Sequence, residues 1–222
     1  MTYTQLSGFY QKKGGVSYHD KWLTASPSDE SLSGNQWILS CDQNGLYRAN
    51  GVQVGTSDKG TSDVLTIQGG PNGGETSDWA VQLVIAFDRK LTAGEITSVE
   101  ATLMASMPAA PVIAISGSPL SVTSGLVGAY TANSWDSKTN MWKDISGNEN
   151  HVKNIKGNII MNTPAGAAPY LSGAAGTSSM MWPSAVLPPT FTLFHIAKYN
   201  GPTRGRIFTG LNGNWVLFLC MF

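Results

Sequence analysis

Charge is scarce in this 222-residue chain: 14 Lys+Arg face 14 Asp+Glu, 13% of the residues in all, and the formal net charge is zero. Soluble domains usually carry about 25% charged residues. The densest cationic spots are Lys12-Lys13 and Arg204 with Arg206, far too few to neutralise a run of phosphates, so a nucleic-acid-binding face is not expected. Cysteine is nearly missing as well. Cys41 and Cys220 stand alone in the apolar runs WILSC and VLFLC. They cannot build a disulfide framework, and no C-x-x-C spacing offers a metal site. Both are expected as buried thiols, with a bond between them open only if their strands are neighbours. No apolar run is long enough to cross a bilayer; the longest, Val216 to Phe222, falls well short of about 20 residues. The opening MTYTQLSGFYQKK lacks the basic-then-apolar pattern of a signal peptide, and the chain reads as soluble.

Apolar residues make up 41% of the sequence, and there are 25 Gly. The first figure is too high for a solvated coil, and the second suits many short strands joined by tight turns. Strand-length apolar or alternating segments fall between turn residues at Leu6–Tyr10, Val16–Trp22, Gln36–Cys41, Gly45–Ala49, Val64–Ile67 and Asp78–Phe87. Asn44-Gly45 and Asn50-Gly51 flank a short strand and predict tight hairpins. DWAVQLVIAF, Asp78–Phe87, is the most continuously apolar segment and predicts a central strand buried on both faces. One helix is predicted over about 93–104. Thr92 and Glu95 form a capping box, and Ile96, Val99 and Leu103 follow at helical spacing. Residues 107–124, with Pro108, Pro111 and Pro119, read as a linker. After it come strand candidates at Leu126–Ala129, Trp142–Ile145, Ile155–Met161, Phe191–Lys198, Arg206–Thr209 and Trp215–Phe222. The last of these is unbroken by polar residues, so it is expected either inside a sheet or against a partner.

Two phrases carry a family resemblance. GLVGAYTANSWDSKTNMWKDISGNENHV, Gly125 to Val152, contains the turn Trp142-x-Asp144-x-Ser146-Gly147-Asn148-x-x-His151. It resembles the opening of concanavalin A-like/laminin G-like domains. DWAVQLVIAFDRKLTAGEITSVEATL, Asp78 to Leu103, resembles the close of the same family. The resemblance implies an all-β jelly-roll sandwich with one short helix, its two halves in permuted order. Residues 1–106 then hold the family's C-terminal half, 107–124 the linker, and 125–222 the N-terminal half of one domain spanning 1–222. A circular permutation, a window cut across a tandem array, and a misassembled frame all account for that order. A single sandwich is favoured because each half alone would leave a sheet edge unpaired and a core face half covered.

Function follows from the resemblance rather than from any catalytic pattern. Paired carboxylates of the glycosidase kind are not placed on one strand face. Asp29-Glu30 lie in a Ser/Pro loop, and Glu95 and Glu100 read as capping or solvated acids. His195, in an apolar strand, reads as a hydrogen-bonded core residue. The resemblance implies a non-catalytic module that binds a glycan or glycoconjugate. Tyr199, Asn200 and Arg204 are the candidate ring, amide and guanidinium, with Tyr18 and Trp22 facing them from the other half. Trp37, Trp79 and Trp142 are assigned to the core. Calcium is a possible cofactor by resemblance, through Asp136, Asp144 and Asn148, although Asp and Asn in such loops also serve simply as turn residues. The alternative is a structural or accessory subunit that docks on other proteins, with the apolar C-terminal tail as a contact; a glycoside hydrolase ranks below both. The family implies an extracellular or lumenal setting.

Overall fold

The computed structural model describes residues 16–19, 36–43, 45–56, 63–68, 76–107, 120–211 and 215–218, with the backbone alone at 16–19 and 215–218. In chain order the strands are β1 Val16–His19, β2 Ile38–Gln43, β3 Leu46–Ala49, β4 Val52–Thr56, β5 Leu65–Ile67 and β6 Trp79–Phe87. Helix α1, Ala93–Ser106, follows. The second half contributes β7 Leu126–Thr131, β8 Trp135–Asp136, β9 Met141–Trp142, β10 Asn154–Lys156, β11 Ile160–Asn162 and β12 Tyr170–Gly173. It ends with β13 Ser179–Met181, β14 Thr192–Tyr199, β15 Arg206–Gly210 and β16 Trp215–Phe218. The described residues are therefore mostly β, in antiparallel sheets, with one α-helix among them.

Strands from before and after the 107–124 segment are interleaved within both large sheets. One sheet runs β1-β16-β15-β5-β13-β10, and the other runs β11-β12-β6-β14-β2-β3-β4 with β7 also on β6. β14 lies between β6 and β2, pairing Phe194 with Ile85 on one side and with Cys41 on the other. β1 pairs with β16, His19 opposite Trp215, so Val16–His19 is the neighbour of the C-terminal strand. Residues 8–10, 20–35, 108–119 and 219–222 lie outside the described residues, and with them Trp22, Asp29-Glu30, Cys220 and the end of the apolar tail.

The unbroken apolar run of β6 has a direct cause: the eight-stranded sheet is covered on both faces. On one side Val81, Val84 and Ala86 join Leu65, Ile67, Met180 and Phe208 of the other sheet in the main core. On the other, Leu83, Ile85 and Phe87 meet Leu39, Cys41, Phe194 and Ile196, and α1 closes over them with Ile96, Val99 and Leu103. Every residue of β6 is buried. Gln82 is the extra residue of a bulge, where pairing steps from Ile196–Leu83 to Ala197–Val81. Cys41 is a free thiol in the second core, and burial pushes its ionisation well up, leaving it a small apolar group.

The helix start is built as its sequence implies. Thr92 Oγ1 accepts the Glu95 N–H at 3.3 Å, and the Glu95 carboxylate accepts the Thr92 N–H at 2.8 Å. Arg89 adds a two-pronged contact to Glu95 at 3.0 and 2.6 Å. Those partners, Arg89 foremost, hold the Glu95 carboxyl down at about 2. A folded-state value below the unfolded one contributes stability above the unfolded value and loses it on acidification. Acid titration of the intact protein should therefore show α1 loosening between pH 4.5 and about 2, with that part of the transition absent in Glu95→Gln. Glu100, expected in solvent, is instead buried against β3, accepting Arg48 Nε and Nη2 at 2.8 Å each. The fork clamps the middle of the helix to the sheet.

Candidate functional site: the 198–204 turn and its aromatic corner

After β14 the chain turns back through Asn200–Gly205 towards β15, and Asp78 fixes the turn. Its backbone accepts the Asn200 N–H at 2.9 Å, and its carboxylate takes the N–H groups of Thr203 at 2.9 Å and Ala175 at 3.1 Å. Burial opposes the ionised form, but the Thr203 and Ala175 N–H groups outweigh it and hold the Asp78 carboxyl below its usual range. Gly201 lies so close that a Cβ there would sit 2.6 Å from an Asp78 carboxylate oxygen. The outcome is an open cleft of about 310 Å³ lined by Lys198, Tyr199, Asn200, Gly201, Pro202 and Arg204.

The sequence-derived residues divide here. Asn200 and Arg204 line the cleft. Tyr199 also borders it but belongs to the main core at 1% exposure, its hydroxyl donating to the Gly205 carbonyl at 2.8 Å. Its ring therefore offers no open face for stacking. The Arg204 guanidinium carbon lies 5.9 Å from that ring's centroid. Tyr18 is on β1, separated by β16 from β15, the strand that follows the turn; its side chain lies outside the described ones.

The half-exposed rings beside the cleft are others. Lys198, which lines the cleft, holds its ammonium 4.8 Å from the Trp37 ring centroid and 5.3 Å from that of Tyr170. The two rings meet edge to face at 5.3 Å. Desolvation lowers the Lys198 ammonium from its usual value. Trp37, assigned to the core, is half-exposed instead: it precedes β2 in phase with Leu39 and Cys41 and packs against the α1-side core without being enclosed by it. Trp79 and Trp142 are fully buried, as expected. A signal for Trp37 was present in that period-2 phase. Tyr170 carried none, because β12 is short and flanked by Pro and Gly.

The residues implied for calcium do other work. Asp144 is buried and spends both oxygens on the chain: Oδ1 accepts the N–H groups of Ala129 and Ser146, each at 2.9 Å. Oδ2 takes the Ser146 hydroxyl at 2.8 Å and the Asn150 N–H at 3.0 Å. Asn148 donates to the Leu126 carbonyl at 2.8 Å and to Ser146 Oγ at 3.0 Å. Asp136 pairs with Lys143 at 2.9 Å, and that contact first, with the Thr139 and Lys138 N–H groups, holds its carboxyl down at about 2. No group of three acidic, Cys or His side chains able to hold a metal occurs among the described residues. This donor set does not fit a calcium ion.

What the 142–151 turn does is cover an edge. Among the described residues β7 pairs with one strand, β6; on its other side the Ile145 N–H reaches the Ala129 carbonyl at 2.8 Å and Asn150 Nδ2 reaches that of Val127 at 2.7 Å. Trp142 Nε1 donates to the Thr131 carbonyl at 2.7 Å, and His151 Nδ1 accepts the Asp144 N–H at 3.0 Å. The Ile145 N–H and the side chains of Trp142, Asp144 and Asn150 thus occupy the ladder in place of a further strand.

Comparisons with protein-family models, curated proteins and solved structures gave no match to the chain.

Proposed function

We propose that this chain is a non-catalytic recognition module that binds a glycan or glycoconjugate in the 198–204 cleft. The observation that carries it is an open cleft lined by an amide, a guanidinium and an ammonium, with two half-exposed rings packed against that ammonium. Sugars present an apolar face to rings and hydroxyls to planar polar groups; Asn200 and Arg204 in the cleft lining, with Trp37 and Tyr170 beside its Lys198, supply both kinds of group. On this reading the fold is a jelly roll of the concanavalin A-like/laminin G-like kind in permuted order. That order is supported by the antiparallel pairing of the closing-phrase strand β6 with the opening-phrase strand β7, Leu83 opposite Thr131. In a family whose ends lie together, those two strands would be neighbours whichever came first in the chain.

A glycan array probed with the intact protein tests the reading, run with calcium and again with a chelator. Binding is expected in both conditions. Trp37→Ala should weaken it roughly tenfold, equivalent to about 1.4 kcal/mol, with the melting temperature little changed. A blank array, or binding indifferent to Trp37, Asn200 and Arg204, would overturn the assignment and favour a docking subunit.

A further inference from the structure

We propose that Asn200 is a deamidation site, an asparagine set by the fold to close a succinimide with Gly201 inside the cleft. The proposal stands whether or not the cleft takes a glycan.

The reaction needs an unhindered nitrogen after the asparagine and a side chain free to swing onto it. Glycine at 201 is imposed by packing, since any Cβ would strike the Asp78 carboxylate, and with it comes the least hindered backbone nitrogen a chain can offer. Asn200 is exposed. Among the described residues no hydrogen bond holds its side-chain amide or the Gly201 N–H, while the Asn200 N–H and Thr203 N–H are both tied to Asp78. The turn is pinned on either side, and the reacting pair between the pins is left loose.

Asn50-Gly51 is the internal contrast, the same dipeptide in another setting. Asn50 Oδ1 accepts the Leu39 N–H at 3.0 Å, its N–H donates to the Leu39 carbonyl at 2.8 Å, and the Gly51 carbonyl takes Arg48 Nη2 at 2.6 Å. Asn50 sits at φ +47° and Gly51 at +80° in a tight hairpin. Its side chain must give up a hydrogen bond before it can turn.

The chemistry is balanced without a co-reactant beyond water. The Gly201 nitrogen loses its proton to solvent base and attacks Asn200 Cγ. The bond from Cγ to the side-chain nitrogen breaks, and ammonia leaves. Water then opens the five-membered imide at either carbonyl, giving aspartate or isoaspartate; one water is consumed and one ammonia released. The product puts a carboxylate beside Lys198 and Arg204 and takes the formal net charge from zero to −1, so the cleft changes its charge with age.

The test is incubation of the intact protein in mildly alkaline, ammonia-free buffer for days at body temperature, then acid-side digestion and peptide mass spectrometry. The 200–201 peptide should gain one mass unit, with an isoaspartate form separable by retention, at least about tenfold faster than the 50–51 peptide, a barrier difference of about 1.4 kcal/mol. In urea the two rates should converge, and Asn200→Gln should remove the first signal. An intact amide at Asn200 while Asn50 converts, or equal rates in the folded protein, would overturn the proposal.

Discussion

Asp144→Ala is expected to lower the unfolding free energy by roughly 3–5 kcal/mol, several buried charge-assisted hydrogen bonds being lost at once. The side chain is 7% exposed and accepts four donors: the N–H groups of Ala129, Ser146 and Asn150 and the Ser146 hydroxyl. Alanine leaves the Ala129 and Asn150 N–H groups facing a gap, and each buried donor without a partner costs about 1–3 kcal/mol. The damage should also spread. The 144–150 segment covers the open side of β7, and β7 completes the pairing of β6 from Leu83 to Phe87, so loosening the turn exposes a sheet edge next to the core. Asp144→Asn keeps one acceptor oxygen and turns an NH₂ towards donors, so it should fall between wild type and alanine. Denaturant unfolding gives the numbers. A loss under about 1 kcal/mol in Asp144→Ala, or a loss that calcium alone restores, would show that the turn is not held by this carboxylate.

The sequence made some of this legible and hid the rest for identifiable reasons. The helix start could be read because a capping box is local: Thr92 and Glu95 need only each other. β6 could be read because burial on both faces writes itself as an unbroken apolar run. Ile155–Met161 looked like one strand, yet Gly157 at φ +74° splits it, sending β10 to one sheet and β11 to the other. A Cβ at Gly157 would lie 2.1 Å from the Thr177 carbonyl oxygen, a constraint set by a residue far along the chain. β4, β12 and β13 do not stand out because they are short, and VQVGT buries no residue although Val52-Gln53-Val54 alternates. Residue type pointed to the 199–204 turn, which lines a cleft, but the ring it offered there, Tyr199, is a core residue. Tyr199 and Trp37 are both aromatic, and only strand phase separates the one that fills the core from the one that flanks the opening. The 142–151 turn was legible as a motif, while its role as a substitute strand depends on β7 having no second neighbour.

His195→Leu is expected to stabilise the protein, an unusual direction for a change at a fully buried position. His195 lies on β14 with its ring 4.4 Å from that of Phe208, and it is 2% exposed. The hydrogen bonds anticipated for it are not made: among the described residues neither ring nitrogen has a partner. Two desolvated polar atoms in an apolar interior are a cost, and leucine of similar size removes both. The gain at neutral pH should be about 1–3 kcal/mol. The effect grows in acid, because burial pushes the ring's pKa down to about 3 against an unperturbed 6.5. Between those values the unfolded chain takes up a proton that the folded one refuses. The folded state therefore loses stability as pH falls from 6.5 towards 3, by up to about 1.4 kcal/mol per pH unit; above 6.5 this group adds no pH dependence. Chemical denaturation from pH 7.5 to 4 should show a steep acid limb in the wild type and a shallower one in His195→Leu, the curves diverging as pH falls. Parallel curves with the variant less stable throughout would mean that the ring nitrogens are engaged in the folded protein, and would make His195 a residue kept for a bond rather than carried at a cost.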